Sequence, residues 1–207
     1  MNRSIRARSS VRIDRRRLSD VARHVVLPKD IATTDWPKME AQARLCGIEY
    51  DGWQRQLVRC ILGKTSDGVY VAGIGGVVIS ICRQVGKTFL IGTMIVMLCI
   101  LSDYLLKVLW TAHRTRTSDE TFKFMRALVR RKVISRFADG ELRRANGQQG
   151  IVFINGSCIM FGARKNGFGR GFDSVDIEVF NEAQILTERA LGDMIPTTNA
   201  AHDPLIV

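Results

Sequence analysis

Residues 77–90 read VVISICRQVGKTFL. The piece Gly86-Lys87-Thr88 ends like the phosphate-binding pattern G-x-x-x-x-G-K-[ST], which wants a glycine six residues before its lysine; Ile81 stands there instead. The surroundings decide what the three residues mean. The apolar run 77–81 predicts a strand. Residues from about Thr88 to Ser102 predict a helix that is apolar on nearly every side, as expected of one packed against a sheet. A triphosphate needs backbone N–H groups at a helix N-terminus, a lysine for its outer phosphates and a hydroxyl for Mg²⁺. Gly86 lets the backbone approach phosphate, and Lys87 and Thr88 fall at the helix start. Strand, loop and helix in that order predict ATP binding at Gly86, Lys87 and Thr88.

A nucleotide-hydrolysing site needs a second strand that ends in acids, one to hold Mg²⁺ and one to polarise water. Residues 176–182, DIEVFNE, have that shape. Asn181 takes the metal position, where an aspartate is expected, and Glu182 takes the position of the water-activating base. Read alone, the pair also fits an exposed Asn-Glu at the start of a helix.

The remaining pattern alternates strands with helices. Trp53, Gln54, Leu57, Val58, Ile61 and Leu62 recur at helical spacing until Gly63. Residues 69–81 predict strands, with turns at Gly68 and Gly75-Gly76. Residues 107–111 (KVLWT) form a short buried strand. Thr117 and Glu120 read as a capping box opening a helix that runs to about Phe137. Asn155-Gly156 predicts a hairpin between 151–154 and 158–161. Residues 187–194 predict a helix and 205–207 the start of another strand. The sum is an α/β chain with a mainly parallel sheet flanked by helices. Residues 1–30 are expected to be a basic, flexible arm, and 31–207 the domain.

Composition bounds the partners. The chain of 207 residues is 46% hydrophobic, enough for a full core, yet carries a net charge of +11. An excess of that size suggests a polyanion, nucleic acid before membrane. It is concentrated: residues 1–24 hold eight arginines, and residues 113–144 hold ten Lys or Arg against four acids. Arg126, Arg130, Arg131 and Lys132 are candidate contacts to DNA phosphates; the bland reading is a solvated face. The five cysteines show no C-x-x-C or His pairing, which argues against zinc and for reduced thiols. No secretory signal is visible. The longest apolar run, 89–101, is 13 residues and too short to span a bilayer.

With these motifs in order, residues 50–207 resemble the N-terminal ATPase domain of the large terminase subunit of tailed bacteriophages. Phosphate loops there often read R-Q-x-G-K-[ST] without the first glycine, which Arg83-Gln84-Val85-Gly86-Lys87-Thr88 matches. Gly52-Trp53-Gln54-Arg55 resembles the aromatic-Gln element that recognises adenine, with Gln54 as reader. Gly169-Arg170-Gly171-Phe172 and Glu182-Ala183-Gln184 resemble the family's stretch around its second acidic motif. The resemblance implies a RecA-like P-loop NTPase fold, ATP and Mg²⁺ as cofactors, and transition-state charge stabilised by Arg83 in its own subunit or by Arg170 across a subunit boundary. It implies double-stranded DNA, portal or procapsid and the small terminase subunit as partners, a homo-oligomeric ring, and action in the host cytoplasm.

Two departures qualify this expectation. Asn181 lacks the carboxylate charge, so Mg²⁺ binding through Thr88 and Asn181 should be weak. Relatives also continue into a coupling motif and a nuclease domain, so this chain is expected to be truncated and not to cut DNA. The alternatives are a helicase-like ATPase, a catalytically impaired nucleotide- or DNA-binding remnant, and a basic protein with an incidental Gly-Lys-Thr.

Overall fold

The computed structural model describes residues 13–82, 85–143, 149–169 and 171–207. In chain order the elements are α1 (Leu18–Val21), β1 (Thr33–Thr34), α2 (Trp36–Leu45), α3 (Gly52–Ile61), β2 (Gly63–Lys64), α4 (Lys87–Leu101), β3 (Lys107–Ala112), α5 (Thr115–Val129), α6 (Lys132–Ser135), β4 (Ala138–Arg143), β5 (Gln149–Phe153), β6 (Cys158–Ala163), β7 (Ile177–Phe180), α7 (Glu188–Met194) and β8 (Leu205–Ile206). Six strands form one sheet in the order β4-β5-β6-β3-β7-β8. β6, β3, β7 and β8 run parallel. β4 and β5 extend the sheet as an antiparallel meander. This is the expected α/β architecture.

Burial on both faces explains why β3 and β7 are mostly apolar, with Glu178 the one acid at their buried positions. One face is covered by α4, whose residues from Leu90 to Cys99 are all buried, packed with α2 and α5 over Val108, Trp110, Ile177 and Val179. The other face carries a smaller core of Leu109, Met160, Phe168, Val175, Phe180, Met194 and Ile206. A side chain at Gly162 of β6 would collide with the buried Phe168 ring, so glycine is what makes room for that ring against the strand. Gly162→Ala is therefore expected to lower stability by about 2 kcal/mol, read as a lower urea midpoint with an unchanged slope.

Several local expectations are corrected. Residues 77–81 do not form a regular strand; the segment leaves the 3₁₀ turn Gly73–Gly75 and is hooked to β8 by the Val77 N–H, which donates to the Ile206 carbonyl at 2.9 Å. The stretch lies at the sheet edge, where side-chain pattern alone does not complete a ladder. α5 starts at Thr115, so Thr117 is not its cap; the Thr117 carbonyl instead accepts the Thr121 hydroxyl inside the helix. The helix stops at Val129, and α6 is separate. α2 is a helix that Trp36-Pro37 concealed. Pro37 sits in its first turn, where a missing N–H costs nothing.

The N-terminal arm is also not wholly free. Asp14 donates its N–H to Asp51 Oδ1 (2.8 Å), its carbonyl accepts the Gly52 N–H (2.6 Å), and the Leu18 N–H reaches Gln56 Oε1 (2.8 Å). Residues 14–18 thus lie along the first turns of α3. At the other side, Lys64 Nζ sits between Asp35 (2.9 Å) and Asp203 (3.4 Å) and over the Tyr70 ring, tying β2 to the turn that leads into β8.

Candidate functional site

The parallel strands put their carboxyl ends on one sheet edge, the usual ligand side of an open α/β sheet. α4 returns to that edge. Its far end meets the opposite edge, because Asn155, in the turn before β6, donates from Nδ2 to the Cys99 and Ser102 carbonyls (2.8 and 3.0 Å). A 15-residue helix is about 22 Å long and a six-residue strand about 20 Å. The first turn of α4 is therefore directed toward the end of the sheet where β3 and β7 finish. Gly86, Lys87 and Thr88 begin α4, and Asn181 and Glu182 follow β7.

The loop is built around Gly86, which caps α4 in the left-handed conformation (φ 88°, ψ 21°). Glycine alone adopts this without a steric cost. Lys87 turns its amine back into the loop, donating to the Ile81 and Cys82 carbonyls at 2.6 and 3.0 Å. Thr88 is half-buried in the first turn and Val85 is exposed. Gln54 is buried, and its Nε2 lies 3.7 Å from the point a Gly86 Cβ would occupy. Its Oε1 accepts the Asp51 N–H at 2.9 Å. Capping α3 uses one lone pair of this amide and leaves its N–H groups toward the loop.

The turn after β7 is held from three sides. The Asn181 N–H donates to the Thr111 carbonyl at 2.8 Å, and the Glu182 carbonyl accepts the Ile185 N–H at 3.1 Å. Glu182 itself is left-handed (φ 59°, ψ 48°), a conformation costing a non-glycine residue about 1 kcal/mol. Such strain persists only where neighbours over-determine it.

The third brace is Arg164, at the end of β6. Its Nη1 donates to the Thr111 carbonyl (3.0 Å) and hydroxyl (2.9 Å), and its Nη2 to the carbonyls of Asn181 (2.9 Å) and Glu182 (3.5 Å). Burial weakens the guanidinium's hold on its proton, and the Glu182 charge works the other way. Sequence reading missed Arg164, because Arg164-Lys165 after a strand looks like ordinary surface charge.

Arg83, Gln84 and Arg170 lie outside the described residues. The candidate DNA contacts Arg126, Arg130, Arg131 and Lys132 are not brought to this edge. α5 starts just after β3 and runs back, so its last turn lies at the amino edge, beside the Phe137 carbonyl that accepts the Ile154 N–H before β6. Among the described residues no cluster of three His, Cys, Asp or Glu could hold a metal, and no helix is long and apolar enough to cross a membrane.

No protein-family model matches the sequence, and no curated protein matches it. Solved structures do. The large terminase of bacteriophage HK97 superposes with a TM-score of 0.63 at 16% identity, over 84% of this chain and 37% of that one. The large terminase ATPase domain of Thermus phage P74-26 superposes with TM-scores of 0.59, as an arginine-to-alanine mutant at 13% identity, and 0.56 in a second structure at 14%. Each of these covers 79% of this chain and 66% of that domain. The chain thus spans little more than a third of the HK97 protein. At this identity the likeness establishes the fold, and that fold is the one shared by the ATPase domains of phage large terminases.

Proposed function

We propose that the chain is the ATP-hydrolysing motor domain of a large terminase, which couples hydrolysis to translocation of double-stranded DNA into a procapsid. What supports this reading is the length of α4 and its tie to the turn before β6, which direct the Gly86-Lys87-Thr88 loop toward the end of the sheet that carries the Asn181-Glu182 turn, in a chain with a terminase ATPase fold. The N–H groups opening α4, with Val85, Gly86 and Lys87, hold the triphosphate, and Gln54 reads adenine with its uncommitted N–H groups. Glu182 orients the attacking water and takes its proton. Arg83 and Arg170 supply positive charge to the transition state, the first within the subunit and the second toward a neighbour in a ring. Portal, procapsid and small terminase subunit complete the assembly in the host cytoplasm.

Mg²⁺ would neutralise phosphate charge during transfer. The donors for it in this chain are the Thr88 hydroxyl and the Asn181 amide oxygen. Both are neutral, so the set fits a cation held largely by nucleotide oxygens and water. This favours a second reading, a domain that binds nucleotide but turns it over poorly. Asn181→Asp separates the two. Restoring the carboxylate is expected to raise Mg²⁺-dependent phosphate release about tenfold, through a charge-assisted contact of about 1.4 kcal/mol, and to lower the Mg²⁺ concentration needed. Bound ATP without phosphate release in either protein would leave the second reading standing and overturn the first.

A further inference from the structure

A cavity of about 330 Å³ opens between the end of β6 and α7, beside the smaller core. Its lining includes Arg164, Lys165 and Arg189, with Asp193 as its one acid. Arg164 is only partly accessible, and every hydrogen bond it donates ends on a neutral oxygen, of Thr111, Asn181 or Glu182. A partly desolvated cation is costly to hold, the Glu182 charge offsets only part of that cost, and an anion in the cavity relieves more of it. Lys165 and Arg189 are exposed at the rim, and neither is ion-paired among the described residues. Thr187 Oγ1 accepts the Ala190 N–H at 3.2 Å, which leaves its own proton to donate into the cavity. Three cations and a hydroxyl around one polar, open space suit a phosphate group better than an apolar ligand.

We propose that this cleft binds a backbone phosphate of double-stranded DNA. The choice of DNA rests on the proposed function; the anion site itself does not. The open rim lets a polymer pass, where a closed pocket would favour a free ion. The guanidinium that meets the phosphate also holds the Asn181–Glu182 turn, so DNA contact and the hydrolytic turn share one residue.

The test compares two double variants of the full chain, Lys165→Ala with Arg189→Ala at the cleft, and Lys29→Ala with Lys38→Ala on exposed surface elsewhere, so that both lose the same charge. Affinity for a short labelled duplex of random sequence is measured by fluorescence anisotropy between about 50 and 200 mM salt. The cleft variant is expected to bind about tenfold more weakly at the lowest salt and to flatten the logarithmic salt slope by about one to two, the control by much less. Equal losses in the two variants, or no binding by the parent chain, would overturn the proposal. Inorganic phosphate, added against sodium chloride of equal ionic strength, is expected to displace DNA from the parent and control but not from the cleft variant. If the cleft variant keeps full DNA affinity and loses only its response to phosphate, the site takes the free ion and the DNA assignment fails. These titrations need no nucleotide, so their outcome is separate from that of the ATP site.

Discussion

Lys87→Ala is expected to weaken ATP and ADP binding by about 100-fold while leaving the fold intact. The Lys87 amine donates to two loop carbonyls, of Ile81 and Cys82. Carbonyls carry only partial charge, so phosphate oxygens compete well for the same protons. Hydrogen bonds to charged groups contribute about 1.5–3 kcal/mol, and 1.4 kcal/mol is tenfold in affinity. Two such bonds lost, offset by the two carbonyl contacts given up on binding, amount to about 2.7 kcal/mol. Lys87 is half-exposed, so its removal opens no core cavity. Calorimetric titration with each nucleotide, beside a thermal melt, checks both parts. Unchanged affinity in a folded variant would remove the phosphate-loop reading, and with it the motor.

The second large effect is a pH dependence set by Glu178. This residue is fully buried in the middle of β7, where its register partners are Leu109 and Ile206. Its Oε1 accepts the Thr197 hydroxyl at 2.7 Å, and its Oε2 has no hydrogen-bond partner. Burial pushes its pKa from 4.5 up to about 7. The folded chain therefore holds this proton more tightly than the unfolded chain does. Its contribution to stability is fully present below about pH 4.5 and is lost as pH rises through about 7. Glu178→Gln keeps an acceptor for Thr197 and removes the titration. Whatever the offset between the two proteins at pH 4.5, the variant is expected to gain about 3 kcal/mol on the parent by pH 8, from 1.36 kcal/mol per pKa unit. Urea unfolding at both pH values measures that widening, and parallel stability curves would contradict it.

These two residues differ in how visible they are in the sequence. Lys87 announces itself, because a glycine, a lysine and a hydroxyl between an apolar run and an apolar helix do their chemistry within a few residues of each other. Glu178 reads as one more acid near the second motif. Only the covering of both sheet faces turns it into a buried acid. Arg164 is similar: 53 positions separate it from Thr111, and no local pattern links them. The strand expected at 77–81 failed for the same reason, since a ladder depends on a neighbour, here β8, that sequence pattern does not supply.

By itself the sequence determined the elements whose causes are local. These are the Gly86 turn into α4, the mostly apolar strands β3 and β7, the Asn155-Gly156 hairpin and the helix α7. Periodicity, turn chemistry and capping act over a handful of residues and can be read in order. The tertiary structure alone decided the strand order that sets Arg164 under the Glu182 turn, the packing of residues 14–18 on α3 and the cleft beside α7. Each of those depends on which distant segments meet, and that choice is made by burial and hydrogen bonding summed over the whole chain.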